Sequence, residues 1–493
     1  MAKTGEAKAG LTTFHLTMMA LGTVVGGSFF LGSGVGIKAA GPAILLAYLI
    51  GGVLVYIILY ALSEMTVADP VSGSFRTYAE RSYGAGAGFV TGWVYWIGLI
   101  FAMSSESIAA STFLRVWFPN LSPGVAGTVI IVGVTLLNLL GAQHLSKLES
   151  SLAAVKLIAI AGFIAIGLAI IAGLMPGAPA VGAGELRSEP WLPGGIAGIA
   201  GSMLTVVLTY AGFEVIGLAA SEVRNPRKTI PRAINLTLIS LIGLYVGAIA
   251  VILPLFPSRG IIADESPLVL SLTRWGMGWA GTLMNIVMIT AILSTMLAAM
   301  FGLGRMIRSL AGEGHAPNWL KDETDVPYRG ILFSGAAMLA GLGLGYLLPQ
   351  QVYLFLLSLG GFSLLFSYFM ILAAHYKWRR RTPCSPEAAC QLPGFPYTSW
   401  LGLTALVAII ASMPFIPGQG TGLIIGLILV ALLAGTYYLK TWIAGRRAPG
   451  MGQYSGNAPG RKGRVGMPLA QMEAAEEVAN SDRPSRKGPD EPK

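Results

Sequence analysis

Twelve apolar runs alternate with short polar segments along the chain. A helix of about 20 apolar residues spans the roughly 30 Å hydrocarbon core of a membrane, and each run is long enough to do so. The runs begin near Met18, Ala43, Ala87, Val125, Ser151, Ile196, Ala233, Gly278, Ile331, Val352, Trp400 and Thr421. The pattern predicts an all-α polytopic membrane protein with twelve transmembrane helices.

Two of these runs contain residues that weaken a helix. The first holds glycines at 22, 26, 27, 32, 34 and 36, and the sixth, from Gly201 to Ala220, places Thr209-Tyr-Ala-Gly-Phe-Glu at its middle. Each interior glycine costs about 0.5–1 kcal/mol relative to alanine. An interrupted helix is tolerated in a membrane only where it faces protein or a wet cavity. Glycines also permit close helix packing, and a single such segment fits either interpretation. A second one favours a binding site.

The two interrupted runs occupy equivalent places in the chain. Runs one and six each begin a group of five, which is typical of an inverted repeat of two five-helix halves with its site at mid-membrane. The amino end of a broken half-helix carries roughly half a positive charge and attracts an anion. Freed carbonyl groups accept hydrogen bonds from an ammonium. The backbone alone therefore predicts a site for a zwitterion, such as an α-amino acid.

The basic residues are concentrated in the loops on one predicted side of the membrane. Charged residues make up 11% of the 493 residues, against 54% hydrophobic ones, whereas soluble domains hold about 25% charged residues. With a cytoplasmic amino terminus, the inner loops hold fifteen Lys and Arg and the outer loops five. The positive-inside rule then predicts that both termini are cytoplasmic in a bacterial cell membrane. The net charge of +10 therefore indicates a membrane and its lipids as partners rather than nucleic acid.

The segments outside the runs complete the predicted organisation. The segment before the first run is polar up to His15, so no cleavable signal peptide is expected. Cys384 and Cys390 fall in a reducing inner loop, where neither a disulfide nor a metal site is expected. The tail is rich in Gly, Pro and charged residues and is expected to be disordered. The predicted divisions are an amino-terminal segment at 1–15, a ten-helix core at 16–374, a basic loop at 375–399, helices eleven and twelve at 400–442, and the tail at 443–493.

Three charged side chains fall inside the runs: Glu106, Lys156 and Glu214. A charge at the bilayer centre costs at least about 2.5–3.5 kcal/mol, so each is a candidate functional residue. Lys156 lies about 9 Å along its helix from the inner end, at 1.5 Å per residue, and could instead extend its ammonium to the interface. Glu106 and Glu214 could instead form structural hydrogen bonds between helices.

Several spaced motifs resemble those of one transporter family. They are Gly41-Pro42, Glu64-Met65, Pro70-x-Ser72-Gly73-Ser74, Gly88-Phe89-x-x-Gly92-Trp93-x-Tyr95-Trp96, Gly212-Phe-Glu-Val-Ile-Gly-x-x-Ala-x-Glu222-x-x-Asn225-Pro226-x-x-x-Ile230-Pro231-x-Ala-Ile-Asn235, Met284-Asn285-x-x-x-x-Thr290-Ala, Arg305-Met306 and Ala316-Pro317. From about Leu16 to Trp442 the chain resembles a bacterial amino-acid permease of the amino acid–polyamine–organocation (APC) superfamily, closest to its amino acid transporter branch.

The resemblance implies a LeuT-type core of helices one to ten and the uptake of amino acids, often coupled to protons. Carried over by position, the substrate carboxylate meets the amides around Gly26, Gly27 and Ser28, and the amino group meets the carbonyls of Val24, Leu208 and Ala211. Thr209 and Tyr210 belong to the same interrupted segment of the site. Lys156 falls where some proton-coupled relatives place a lysine in the sodium site, and Glu106 matches an acidic position. The chain departs from the family pattern at Gly26-Gly27-Ser28 and at Ala211.

Other functions fit the sequence less well. A membrane enzyme would need a buried acid, base or metal constellation, but the four histidines, at 15, 144, 315 and 375, lie in tails, loops or helix ends. No catalytic residue, cofactor or metal is therefore predicted, while amino acids and protons are the predicted small partners. An amino-acid or polyamine exchanger and a transporter-like nutrient sensor remain alternatives. The sequence predicts neither which amino acid is carried nor the oligomeric state.

Overall fold

A computed structural model describes residues 11–71, 73–175, 180–219, 223, 225–262, 265–322, 324, 326–347, 352–382, 392–416 and 419–446. Within these residues the chain is helical, apart from short 3-10 turns and a single bridge pair between Leu11 and Val223. The α-helices are α1 Thr13–Val24, α2 Gly27–Phe30, α3 Gly32–Ala40, α4 Ile44–Ala68, α5 Ser74–Tyr83, α6 Ala85–Leu114, α7 Pro123–Asn138, α8 Ala142–Ile171, α9 Gly195–Thr209, α10 Val215–Leu218, α11 Pro226–Leu255, α12 Pro267–Arg274, α13 Gly278–Gly312, α14 Tyr328–Leu347, α15 Val352–Arg381, α16 Tyr397–Ser412 and α17 Gly420–Arg446.

Every predicted apolar run falls on helix. In the described residues, eight helical stretches are long and apolar enough to cross a membrane, and α1, α7, α9 and most of α14 are shorter apolar helices. The first run is divided among α1, α2 and α3, and the sixth is divided between α9 and α10. The predicted all-α fold with discontinuous first and sixth helices is therefore confirmed.

The two interrupted helices pass each other at their breaks. One half of the first, α3, packs against α9, and its other half, α1, packs against α10. The same α1 also packs against α8, α11 and α13, which surround it with helices on several sides. An interrupted backbone is stable here because protein, rather than lipid, faces its unpaired groups.

The last two helices lie at the edge of the bundle. In α13 and α15, 72% of the most apolar window is buried, whereas the corresponding share is 33% for α16 and 11% for α17. Residues as far as Lys440 form one compact unit. Of the second unit, Thr441–Lys493, the structure describes only the end of α17. The cysteines and the predicted disordered tail beyond Arg446 lie outside the described residues.

Two buried charge clusters were not expected from the sequence. Arg76, counted above as an inner-loop residue, is fully buried and donates hydrogen bonds to Glu80 at 2.8 Å and to Glu313 at 3.0 Å. It also lies 3.4 Å from Nδ1 of His315. Burial lowers the pKa of His315, so the neutral ring can accept a hydrogen bond from Arg76. The cluster ties α5 to the end of α13.

The second cluster joins α4 to α15. Glu64, near the end of α4, is also buried. One of its carboxylate oxygens, Oε2, lies 3.2 Å from His375 and accepts hydrogen bonds from Arg379 at 3.0 Å and the Leu392 amide at 3.3 Å. His375 itself is fully buried within α15, which continues to Arg381, past the predicted start of the basic loop at 375.

Candidate functional site

The break in the first helix lies between Val24, where α1 ends, and Gly27, where α2 begins. Neighbouring side chains occupy the space beside its glycines. A Cβ atom on Gly26 would lie 2.8 Å from the Thr295 hydroxyl oxygen, and one on Gly27 would lie 2.5 Å from the Glu106 carboxylate. Both contacts are shorter than van der Waals contact, so a larger residue at either position would displace the Thr295 or the Glu106 side chain. Because glycine has no side chain, neighbouring groups can approach the backbone at these two positions.

The Glu106 carboxylate occupies the amide end of this break. The Gly27 amide donates to Oε2 at 2.8 Å and the Ser28 amide donates to Oε1 at 3.0 Å. A carboxylate bound by two amides at the start of a helical segment is favoured by both hydrogen bonding and the helix dipole. The amides predicted to receive a substrate carboxylate are thus already bonded to a side chain of α6.

Lys156 occupies the carbonyl end of the same break. It is fully buried, and its ammonium donates to the carbonyl of Gly22 at 2.5 Å and to that of Val25 at 2.8 Å. The Thr295 hydroxyl lies 3.3 Å and 3.2 Å from the same two oxygens. The ammonium therefore points into the bundle and does not extend to the interface. One cation and one anion together satisfy backbone groups freed by the break.

Glu214 has a different environment, at the break of the sixth helix. Its carboxylate accepts hydrogen bonds from the Tyr95 hydroxyl at 3.2 Å, the Tyr368 hydroxyl at 3.1 Å and the Gly212 amide at 3.0 Å. These donors come from α6, α15 and the break itself. The interhelical structural role considered for this residue is consistent with its three partners.

A cavity lies between the two breaks and encloses about 40 Å³. That volume admits a few water molecules in this conformation, so a larger ligand requires the walls to move. The lining side chains and backbone come from α1, α2, α6, α9, α10, α13, α15 and the sixth-helix break; they are Thr23, Val24, Ser28, Tyr95, Leu99, Ala102, Met103, Ser105, Glu106, Leu208, Ala211, Gly212, Glu214, Val215, Thr295, Ala299, Leu357 and Leu364.

The cavity brings together some of the predicted site residues and leaves others behind its walls. Those that line it are Val24, Ser28, Leu208, Ala211, Glu106 and Glu214. Thr209 and Tyr210 point elsewhere: the Thr209 hydroxyl donates to the Val206 carbonyl at 2.7 Å, and the Tyr210 hydroxyl donates to the Tyr48 carbonyl at 3.1 Å. Their side chains thus stabilise the helix and its packing, away from the cavity. Lys156, Gly26 and Gly27 adjoin the site through the backbone of the first break.

The sequence was compared with models of known protein families. Residues 15–449 match the amino acid permease family. The chain belongs to this family. The permease is therefore a multi-pass membrane protein of a transporter family and not an enzyme, and the resemblance to the APC superfamily seen in its motifs is confirmed.

Curated relatives extend over most of the permease. It is 34% identical to the uncharacterized amino acid permease YtnA of Bacillus subtilis, over 88% of this chain and 95% of that protein. It is 33% identical to the aromatic amino acid transport protein AroP of Corynebacterium glutamicum, over 84% of this chain and 91% of that protein. It is 30% identical to the gamma-aminobutyric acid permease of Bacillus subtilis, over 86% of this chain and 93% of that protein.

A solved structure shares the fold. The manganese transporter of Eremococcus coleocola superposes with a TM-score of 0.53 at 15% sequence identity, covering 91% of this chain and 98% of that one. At that identity the likeness concerns the architecture alone. It supports the overall helical fold of the chain.

Some site residues were not singled out from the sequence. Thr295 donates to the same two carbonyls as Lys156, and Tyr368 and Tyr95 donate to Glu214. None of the three is charged, so the cost of burying a charge gave no signal for them. Tyr95 did occur in a family motif, but its partner could be found only from the packing of α6 against its neighbours.

Proposed function

We propose that the permease imports α-amino acids by secondary active transport with alternating access, coupled to protons. The observation that carries the proposal is the occupation of the first break by two buried charges of opposite sign, Glu106 on its amides and Lys156 on its carbonyls. A zwitterion offers the same pair of charges. The permease family and the amino acids named for AroP support this substrate class.

The substrate carboxylate replaces Glu106 on the amides of Gly27 and Ser28. Both donors are already oriented toward a carboxylate, so the exchange requires little rearrangement of the backbone. The substrate ammonium then binds carbonyls at the two breaks, those of Val24, Leu208 and Ala211. Of these, the Leu208 carbonyl already accepts the Ala211 amide at 3.1 Å and has a second lone pair for the substrate.

Displacement of Glu106 provides a reason for proton uptake. Once it leaves the two amides, the carboxylate stands in a mostly apolar cavity without those donors. An ionised carboxylate in such surroundings is costly, so the displaced group takes up a proton. Substrate binding and protonation of Glu106 then favour each other. On release toward the cytoplasm, Glu106 loses the proton and returns to the amides.

Lys156 provides the second coupling element. A cation on the Gly22 and Val25 carbonyls holds α1 to α8. Burial in general disfavours the charged form of a lysine. A change in hydration between the inward-facing and outward-facing states would load and release its proton. We therefore propose that the ammonium does at this break what a bound sodium ion does in sodium-coupled relatives of this architecture.

Glu106→Gln is expected to remove the pH dependence of substrate affinity. The glutamine side chain keeps its volume but carries no negative charge and cannot accept both amides, so it competes less with the substrate carboxylate. Affinity should therefore rise severalfold near neutral pH and stay flat between pH 5 and pH 8. Equilibrium binding of an amino-acid substrate to purified protein over that range measures the effect.

Glu214→Gln is the matched control, since it makes the same change in the same cavity. Its carboxylate bonds to tyrosines and to its own break, so its variant should keep the pH dependence of the wild type. Wild-type pH dependence in Glu106→Gln would instead assign Glu106 a structural role.

We also propose that both termini face the cytoplasm of a bacterial cell, on the basis of the charge asymmetry of the loops. Cys384 and Cys390 are the only cysteines in the sequence and serve as reporters of orientation. A membrane-impermeant maleimide should label them in inside-out vesicles and not in intact cells. Labelling of intact cells would overturn this orientation.

A further inference from the structure

We infer that the permease selects α-amino acids whose side chains are neutral and apolar. This inference rests on the proposed function, because it assigns the side-chain subsite of the same cavity. Two observations support it. Nearly all polar side chains that line the cavity are already hydrogen-bonded within the protein, and the other side chains of the wall are apolar.

The uncharged polar side chains of the wall are turned to the backbone. The Thr23 hydroxyl donates to the Met19 carbonyl at 2.8 Å and the Ser105 hydroxyl donates to the Ala102 carbonyl at 2.7 Å. The Thr295 hydroxyl is likewise bonded to main-chain oxygens, and Tyr95 is bonded to Glu214. None of these four groups therefore has a hydroxyl hydrogen left to donate to a ligand. Ser28 is the one remaining hydroxyl on the wall, and it adjoins the amide that receives the carboxylate.

The remaining surface is aliphatic or thioether. Its main contributors are Leu99, Met103, Leu208, Val215, Leu357 and Leu364. Leu99 and Met103 are four residues apart on α6, and Leu357 and Leu364 are seven apart on α15, so each pair lies on a single helix face. The unbranched methionine adapts to branched, linear and ring-shaped guests. This wall matches the side chains of leucine, isoleucine, methionine and phenylalanine.

An acidic side chain finds no partner in this cavity. Among the residues that the structure describes, two carboxylates, Glu106 and Glu214, line it, and no lysine, arginine or histidine does. Lys156 stands behind the wall, on the carbonyls of Gly22 and Val25. A further carboxylate would meet the Glu214 carboxylate without a compensating cation, and aspartate and glutamate are therefore excluded.

A cationic or strongly polar side chain is also disfavoured. Glu214 already accepts three donors, and Glu106, once the substrate carboxylate displaces it from the amides, carries a proton and no negative charge. A lysine or arginine side chain would lose its hydration against leucine and methionine without gaining an acceptor of its own. A buried polar group left unpaired weakens binding by about tenfold or more.

The test measures the stabilisation of the purified full chain by individual amino acids. L-leucine, L-methionine and L-phenylalanine should raise its melting temperature and compete with one another, whereas L-lysine, L-glutamate and L-serine should bind at least tenfold more weakly. Leucinol, which lacks the carboxylate, and 4-methylpentanoate, which lacks the ammonium, probe backbone recognition separately. Both should fail to bind.

The outcomes separate the inference from the function on which it rests. Binding of lysine, glutamate or serine as tight as that of leucine, with both analogues inactive, overturns the side-chain inference and leaves amino-acid recognition intact. Leucinol or 4-methylpentanoate binding as tightly as leucine overturns zwitterion recognition instead. If none of the twenty amino acids binds, both proposals fail.

A charge placed on the wall gives an independent test. Ala102→Asp supplies an acceptor to the apolar subsite and should weaken L-leucine binding at least tenfold while allowing L-lysine to bind. Ala102→Asn is the matched control, with the same size and no charge, and it should not admit lysine. Undiminished leucine affinity in a folded Ala102→Asp protein would contradict the assignment of this wall. If that variant does not fold, the amino-acid binding measurements on the wild-type protein decide the inference.

Discussion

Lys156→Gln is expected to abolish proton-driven accumulation of substrate. The buried ammonium donates to the Gly22 and Val25 carbonyls at 2.5 Å and 2.8 Å. Glutamine is shorter, neutral and unable to bind or release a proton at this place. The variant therefore lacks the charge that we propose changes between the inward-facing and outward-facing states.

The expected loss is large because the proton supplies the driving force. One charge moving down 100 mV releases about 2.3 kcal/mol, which supports roughly fifty-fold accumulation of a neutral amino acid before any pH gradient is added. Without the Lys156 charge, we expect protonation of Glu106 alone not to drive the change between the two states, so the substrate equilibrates and its internal concentration approaches the external one. The concentration ratio should therefore fall from tens to about one.

Proteoliposome uptake under an imposed proton gradient, with and without sodium, measures this ratio. Thr295→Val is the matched variant, since the Thr295 hydroxyl is the uncharged partner of the same two carbonyls and its loss should reduce the rate but leave accumulation. Accumulation by Lys156→Gln under the proton gradient, or a requirement of the wild type for sodium, would refute lysine-based coupling. Uptake that depends on internal amino acid alone would indicate an exchanger.

Gly212→Val is expected to abolish substrate binding. Gly212 has φ +111, a backbone conformation that a β-branched residue adopts only with strain. A Cβ atom at this position would lie 3.0 Å from the main-chain carbon and oxygen of Thr23. The neighbour is backbone rather than a flexible side chain, so the two breaks must separate. Their separation misplaces the carbonyls that we propose bind the ammonium, and affinity should fall at least a hundredfold.

Gly243→Val provides the control for this substitution. Gly243 lies on the exposed face of α11, where a new Cβ meets no other atom within 4 Å. That variant should bind substrate as the wild type does, whereas Gly212→Val should remain folded in detergent and bind none. Gly26→Val, which displaces the Thr295 side chain, should behave like Gly212→Val. Wild-type affinity in both variants would remove the breaks from the binding site.

The sequence by itself determined the class of the protein, its helical elements and the two breaks. Hydrophobic run length is a local property, and so are the glycines at 26 and 27 and the Thr209–Glu214 segment that interrupt two of the runs. Each of these features reflects the free-energy cost of exposing unpaired backbone groups to lipid. That cost can be judged for each segment separately. The three intramembrane charges stood out for the same reason. Their residue types alone marked them as costly to bury.

The partners of those charges depended on tertiary structure. Glu106 bonds to amides 78 and 79 positions away, and Lys156 bonds to carbonyls 131 and 134 positions away. No local pattern reports which helix faces meet over such separations. The sequence therefore predicted free amides for a substrate carboxylate, whereas packing places a side-chain carboxylate on them.

The burial of charges near helix ends was also decided by packing. Arg76 follows the pattern of an exposed inner-loop residue, yet it is fully buried and bonded to Glu313, 237 positions away. Glu64 and His375 lie 311 positions apart and meet between α4 and α15. A charged residue at the end of a run is equally compatible with water and with a buried partner. Its environment is set by the helices that pack against it, because only a partner of suitable charge compensates the lost hydration.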